Sequence, residues 1–140
     1  MSDHDLREFC WPVRVYYEDT DAGGIVYHAN YLKFMERART EWLRQLGYEQ
    51  TDLASSYGIL FVVKRIAIDY AAPAYFNDEL LVVSSVQRLG RASIEFEQQI
   101  ANSDRLFARS QVKLGCVDVN SVRPRSIPSE VYMGIRDAGG

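Results

Sequence analysis

After Gly58 the apolar residues of this chain change their spacing, and that change limits the folds open to it. Before it, Tyr31, Phe34, Met35, Ala38, Trp42, Leu43 and Leu46 recur at three- and four-residue intervals, as one face of a long helix requires. Lys33, Glu36, Arg37, Arg39, Glu41 and Arg44 fill much of the remaining surface, and Gly47 supplies a stop. After it, the repeat is two. Ile59 to Tyr70, Glu79 to Leu89, Arg91 to Ala101 and a last run from Leu106 are rich in β-branched and aromatic residues and are separated by turn-forming residues. In the last run Leu106, Ala108, Val112, Leu114 and Cys116 fall on one side, with Ser110 a small exception. Phe107, Arg109, Gln111 and Lys113 fall on the other. Gln98 interrupts the apolar side of the run before it.

Phe9 to Tyr17 reads as a first strand, with Pro12 near its start where a missing N–H is tolerated. A second, short helix fits Glu49 to Tyr57, and a third fits Ser129 to Ile135. Met1 to Glu8 and residues 136–140 are expected to be flexible ends. One long helix followed by consecutive antiparallel strands is α+β architecture in one domain, residues 1–140. A single helix covers one face of such a sheet, so the other face or an edge must be polar or meet a second subunit. A dimer is the expectation.

At 140 residues the chain can bury roughly two-thirds of its unfolded surface. No apolar run approaches the ~20 residues of a membrane span, and the amino terminus lacks the basic and apolar regions of a secretory signal. The protein is therefore expected in the cytoplasm and not in the membrane. Cys10 and Cys116 form neither a disulfide framework nor a metal-ligand pair, and both read as buried and inert. A net charge of −3 argues against nucleic acid as a partner. It leaves room for a small anionic ligand held by a local basic patch.

Between the first strand and the long helix lies Glu18-Asp19-Thr20-Asp21-Ala22-Gly23-Gly24-Ile25-Val26-Tyr27-His28. Asp19-x-Asp21-x-Gly23 imitates the start of a calcium loop. The element before it is a strand, however, and the twelfth position is Asn30 where that loop needs Glu. No G-x-S-x-G, P-loop or dinucleotide fingerprint is present. Two readings remain. In one, Asp and Gly serve turn geometry alone. In the other, the Asp21 carboxylate faces the free N–H groups of the helix start. Those groups would polarise a carbonyl oxygen while the carboxylate attacks the carbon or activates water. His28 would assist that reaction or cap the helix.

The segment Val15 to Tyr31, followed by Glu36-Arg37-Ala38-Arg39-Thr40-Glu41, resembles the hotdog-fold acyl-CoA thioesterases. Within them it is most similar to the subfamily associated with the bacterial Tol–Pal gene cluster, a relative of 4-hydroxybenzoyl-CoA thioesterase. Ala72-Pro73-Ala74-Tyr75-Phe76-Asn77-Asp78-Glu79-Leu80 carries the likeness further, and it extends over about Trp11 to Pro128. The resemblance implies a long central helix wrapped by a curved antiparallel sheet of about five strands. It also implies a homodimer, commonly pairing into a dimer of dimers. The implied reaction is hydrolysis of acyl-CoA, with short- to medium-chain acyl groups favoured, without metal or organic cofactor. Asp21 matches the catalytic aspartate, as nucleophile or general base, and Tyr17 and His28 match its proposed helpers. The backbone around Gly24, Val26, Tyr27 and His28 matches the substrate-binding loop. Arg91 matches the basic turn that meets the CoA nucleotide, and Lys64, Arg65 and Arg88 are further candidates for its charges. The 4-hydroxybenzoyl enzyme has Pro after its Asp and lacks this His. Ala22 and His28 thus point away from that aromatic substrate.

Two rivals share the fold. A hotdog hydratase spaces Asp and His as D-x4-H, whereas Asp21 and His28 are D-x6-H. The other rival is a scaffold that binds acyl-CoA or an acyl carrier protein and hydrolyses weakly.

Overall fold

The computed structural model describes residues 8–139. Most of the amino-terminal segment expected to be flexible lies outside them. Strand β1 (Phe9–Arg14) leads through a 3-10 turn (Tyr17–Asp19) and a loop to helix α1 (Asn30–Gln45). A short helix α2 (Gln50–Asp52) runs on into a π turn (Leu53–Tyr57). Strands β2 (Ile59–Tyr70), β3 (Glu79–Leu89), β4 (Ser93–Ala101) and β5 (Leu106–Asp118) follow, and helix α3 (Ser129–Asp137) comes last. The strands form one five-stranded sheet in the order β1-β3-β4-β5-β2. Every pairing is antiparallel, and β1 and β2 are the edges.

Helix α1 lays its apolar stripe on one face of the sheet and is closed by Tyr48 N–H donating to Leu43 C=O at 3.0 Å. Its amino-terminal half (Tyr31, Phe34, Met35, Ala38) joins Val82, Ile100 and Ala108 in one apolar cluster. Its carboxy-terminal half (Trp42, Leu43) joins Phe96, Val112 and Leu114 in a second, which α3 completes with Val131 and Ile135.

A polar bridge separates the two clusters. Arg39 belongs to the buried face and is only 7% exposed, contrary to the polar-face expectation. Its Nη1 donates to Gln98 Oε1 at 2.9 Å. Gln98 Nε2 in turn donates to Ser84 Oγ at 2.9 Å and to Met35 C=O at 3.0 Å. The interruption at Gln98 is therefore a cross-link between sheet and helix, made in a place where unpaired polar groups are costly. Burial holds the Arg39 guanidinium pKa below its ordinary value, and nearby Glu36 offsets only part of that.

Strand register shifts at three places, one of them between Val86 and Arg88 in the β3–β4 pair. The β2–β5 register shifts between Val63 and Arg65, so Ile59 and Phe61 face inward before the bulge and Ile66 and Ile68 after it. The β4–β5 register shifts between Ile100 and Ala101. There Phe107 is 2% exposed while Leu106 is 38% exposed, the reverse of simple alternation. Phe107 C=O accepts Ala71 N–H at 2.8 Å, so the chain leaving β2 passes beside it. Val117 is likewise buried and bridges to Pro124.

Cys10 is exposed, because it stands on the outer side of edge strand β1, and so departs from the buried reading. Cys116 is buried, and burial pushes its thiol up to about 11. Among the described residues no helix is long and apolar enough to cross a membrane.

Replacing Gln98 with Ala should leave Arg39, Ser84 and Met35 C=O short of partners. The expected loss is about 2–3 kcal/mol, read as a lower urea midpoint at an unchanged m-value.

Candidate active site

The loop between β1 and α1 is built on Asp19. This carboxylate is buried, its Oδ2 accepting Tyr16 N–H at 2.9 Å and its Oδ1 accepting Asn30 Nδ2 at 2.9 Å. Its own carbonyl accepts Tyr27 N–H at 2.9 Å. One residue thus ties the end of β1, the loop's return strand and the first turn of α1 together. The isolated bridge Thr20–Val26 closes the loop, and Val26 N–H donates to Ala74 C=O at 2.9 Å, which fastens it to the β2–β3 connection. Val26 is 3% exposed and anchors the loop in the first apolar cluster.

Asp21 stands at the tip. Its N–H donates to Ile25 C=O at 2.9 Å, and its Oδ1 accepts Gly23 N–H at 2.8 Å. Gly24 takes φ +80°, a conformation that side chains resist, to complete the turn. Asp21 Oδ2 has no protein donor among the described residues, and the side chain is exposed. One carboxylate oxygen therefore shapes the loop and the other is free for chemistry.

His28 leaves the same hairpin seven residues later. Its ring lies 4.5 Å from that of Tyr27 and edge-on to Tyr70 at 6.3 Å. It does not cap α1, whose N-cap is Ala29 and carries no side-chain cap bond. Among the described residues the N–H groups of His28 and Ala29 donate to no protein acceptor. Those two donors sit at the positive end of a 16-residue helix. Tyr17 is 75% exposed and stacks on Phe76, centroids 3.8 Å apart and 6° from parallel. Its hydroxyl hydrogen-bonds neither the Asp21 carboxylate nor the His28 ring, and the stack on Phe76 places it on the outer rim of the loop.

The basic candidates lie elsewhere. Lys64, at the β2 bulge, and Arg65 line an outer concavity of about 420 Å³ together with Lys113. Arg65 and Arg88 approach one carboxylate, Glu95, at 3.8 and 4.0 Å. Arg91 sits at the β3–β4 turn beside a separate concavity of about 470 Å³ with Tyr132 and Met133. Ala92, next to it, accepts Cys116 N–H at 2.8 Å, and Cys116 pairs with Phe61 near the start of β2. His28, by contrast, is bonded to Tyr70 at the end of β2. Phe61 to Tyr70 spans roughly 30 Å of strand, so one chain keeps Arg91 and Asp21 apart.

The family model described as the thioesterase-like superfamily matches residues 15–135. The chain belongs to this superfamily, the hotdog thioesterases. It is 48% identical over 123 residues to the acyl-CoA thioesterase YbgC of Haemophilus influenzae, covering 88% of this chain and 90% of that one. It is 43% identical over 124 residues to the acyl-CoA thioester hydrolase YbgC of Escherichia coli O157:H7, covering 88% and 92%. The hotdog fold itself is shared with a 1,4-dihydroxy-2-naphthoyl-CoA thioesterase from Synechocystis, at TM-score 0.85 and 24% identity over 93% of this chain and 96% of the other. The five-stranded sheet of this thioesterase-like chain is open, with α1 lying on one face.

Sequence reasoning used Asp19 and Asn30 only to test a calcium loop, and gave Tyr70 and Lys113 no part in the site. A signal for the first pair was available, since an Asp before a turn and an Asn at a helix start are hydrogen-bonding residues. Nothing in the spacing marks Tyr70 or Lys113.

Replacing Asp19 with Ala orphans the part-buried Tyr16 N–H and the buried Asn30 amide. We expect a loss of about 2–3 kcal/mol, read by thermal unfolding, and faster amide exchange at Tyr16.

Proposed function

We propose that this chain is an acyl-CoA thioesterase in which the Asp21 loop and the start of α1 form the reaction centre. The observation that carries this reading is the pair of unpartnered N–H groups at His28 and Ala29, in a loop whose Asp21 keeps one oxygen free. The thioester carbonyl oxygen would accept from those N–H groups, which strengthen their hold as negative charge develops on it. The free Asp21 oxygen either attacks the carbonyl carbon or takes a proton from the attacking water. The C–S bond then breaks and CoA leaves as thiolate, to which the His28 imidazole would donate a hydrogen bond. With Asp21 as general base the water oxygen is already on the acyl carbon and the acid is released; with Asp21 as nucleophile a water hydrolyses the acyl–Asp21 anhydride, freeing the acid and restoring the carboxylate. Tyr17 contributes from the rim.

A single chain leaves Asp21 open to water, so the centre needs another wall. Strand β2 supplies the means. It is an edge strand of 12 residues, with Val63 51% exposed at its middle. Pairing β2 with that of a second copy about a two-fold axis reverses the strand direction. The Phe61 end of one copy, with its Arg91, then comes to the Tyr70 end of the other. In that homodimer Arg91 of the partner subunit, with Lys64 and Arg65, would meet the phosphates of CoA while Asp21 meets the thioester.

Asp21→Asn keeps the shape and removes the base or nucleophile. Turnover of acyl-CoA should fall by at least ~10²-fold, and a rate near wild type in a thiol-release assay would refute the role. Arg91→Ala should raise KM for CoA esters and leave it nearly unchanged for N-acetylcysteamine thioesters of the same acyl group. Equal effects on both would remove Arg91 from nucleotide recognition.

A further inference from the structure

We infer that Tyr70 is a positioning residue for thioester hydrolysis, its hydroxyl holding and polarising the His28–Ala29 peptide group that presents a donor to the thioester carbonyl. The inference rests on the proposed placement of that carbonyl at the two unpartnered N–H groups.

Tyr70 is the last residue of β2, 42 positions along the chain from His28, and its hydroxyl donates to His28 C=O at 2.8 Å. In a regular helix that carbonyl would take the N–H four residues on. Here Leu32 N–H goes to Ala29 C=O instead, at 3.2 Å, and the His28 carbonyl is left to the phenol. The phenol is itself held. Its ring packs against Tyr31 at 5.5 Å and 64°, and Tyr31 is 3% exposed with its hydroxyl accepting Ala74 N–H at 3.1 Å.

His28 C=O and Ala29 N–H belong to one amide. A donor on the carbonyl draws electron density toward oxygen and makes the N–H a stronger donor. The neighbouring amide is treated alike: Tyr27 C=O accepts Asn30 N–H at 2.8 Å, which sharpens His28 N–H. Both free donors therefore sit on peptide groups whose carbonyls are already engaged. One engagement comes from the main chain and the other from a side chain of a distant strand. Only the second can be deleted by substitution. Burial pushes the Tyr70 phenol above its ordinary range, so it remains a donor through neutral and mildly alkaline pH.

Tyr70→Phe removes the hydroxyl alone from a side chain that is 46% exposed. We expect kcat for acyl-CoA to fall about tenfold, less than the loss of a whole oxyanion donor, with KM changed less than about twofold and the thermal midpoint nearly unmoved. The deciding measurement is the infrared stretch of a ¹³C-labelled thioester carbonyl bound to the Asp21→Asn protein, with and without Tyr70→Phe. A downward shift on binding that Tyr70→Phe diminishes supports the inference. A shift that Tyr70→Phe leaves intact, with kcat unchanged, overturns the role of Tyr70 alone. No shift on binding in either protein overturns the carbonyl placement and the inference with it.

Discussion

Asp19 has to satisfy three demands with one buried carboxylate, and the rest of the loop follows from how it does so. The chain must leave β1, turn back, and enter α1 while the helix presses its apolar stripe on the sheet. Tyr16 N–H lies on one side of the turn and the Asn30 amide on the other, and a single carboxylate bonds both. Charge-assisted bonds of this kind are about twice as strong as neutral ones. They fix the loop at its base and leave the tip, with Asp21, free of packing duties. Two carboxylates two residues apart are thus separated by burial, Asp19 inside and Asp21 out.

The helix faces a different constraint along its length. Its two apolar clusters are joined through Arg39, Gln98, Ser84 and the Met35 carbonyl, and this polar bridge determines how α1 sits over β4. An apolar pair there would allow the helix to slide by a ridge. Hydrogen bonds with required partners do not. Because the loop hangs from the first turn of α1, the axial position of the helix is also the position of the His28 and Ala29 donors. The core bridge and the proposed reaction centre are therefore linked through one helix, although Arg39 and His28 are about three helical turns apart.

The limits of β2 and β3 were legible in the sequence because Gly58, Ala71 to Asp78 and Gly90 punctuate them and β-branched residues fill them. The long helix was legible from its spacing, and the Asp21 loop from its concentration of turn and titratable residues. What was not legible depended on relations between strands. Phe107 read as outward because a period of two has no memory of the irregularity at Ile100–Ala101. Cys10 read as buried because nothing local says that β1 is an edge. Arg39 read as solvent-facing because a charge is assigned outward until its partner, 59 positions away, is known. The first strand read too long, to Tyr17, because Tyr16 and Tyr17 have strand propensity while their backbone bends into the turn that Asp19 closes.

The start of α1 goes without a side-chain cap. Asp19, Asp21 and Asn30 are all good capping residues; the first two lie in the loop that delivers the helix and Asn30 is its first residue. None caps it: Asp19 is bound to Tyr16 and to Asn30, Asp21 to Gly23, and the N-cap position falls to Ala29. Forgoing a cap costs a helix about 1 kcal/mol. A loop selected only for stability would direct one of these oxygens at the open N–H groups. This one directs them elsewhere and adds a phenol to the far side of the same peptide. The donors are left unoccupied yet held in place, which suits the proposed role of meeting a charge that exists only in the transition state.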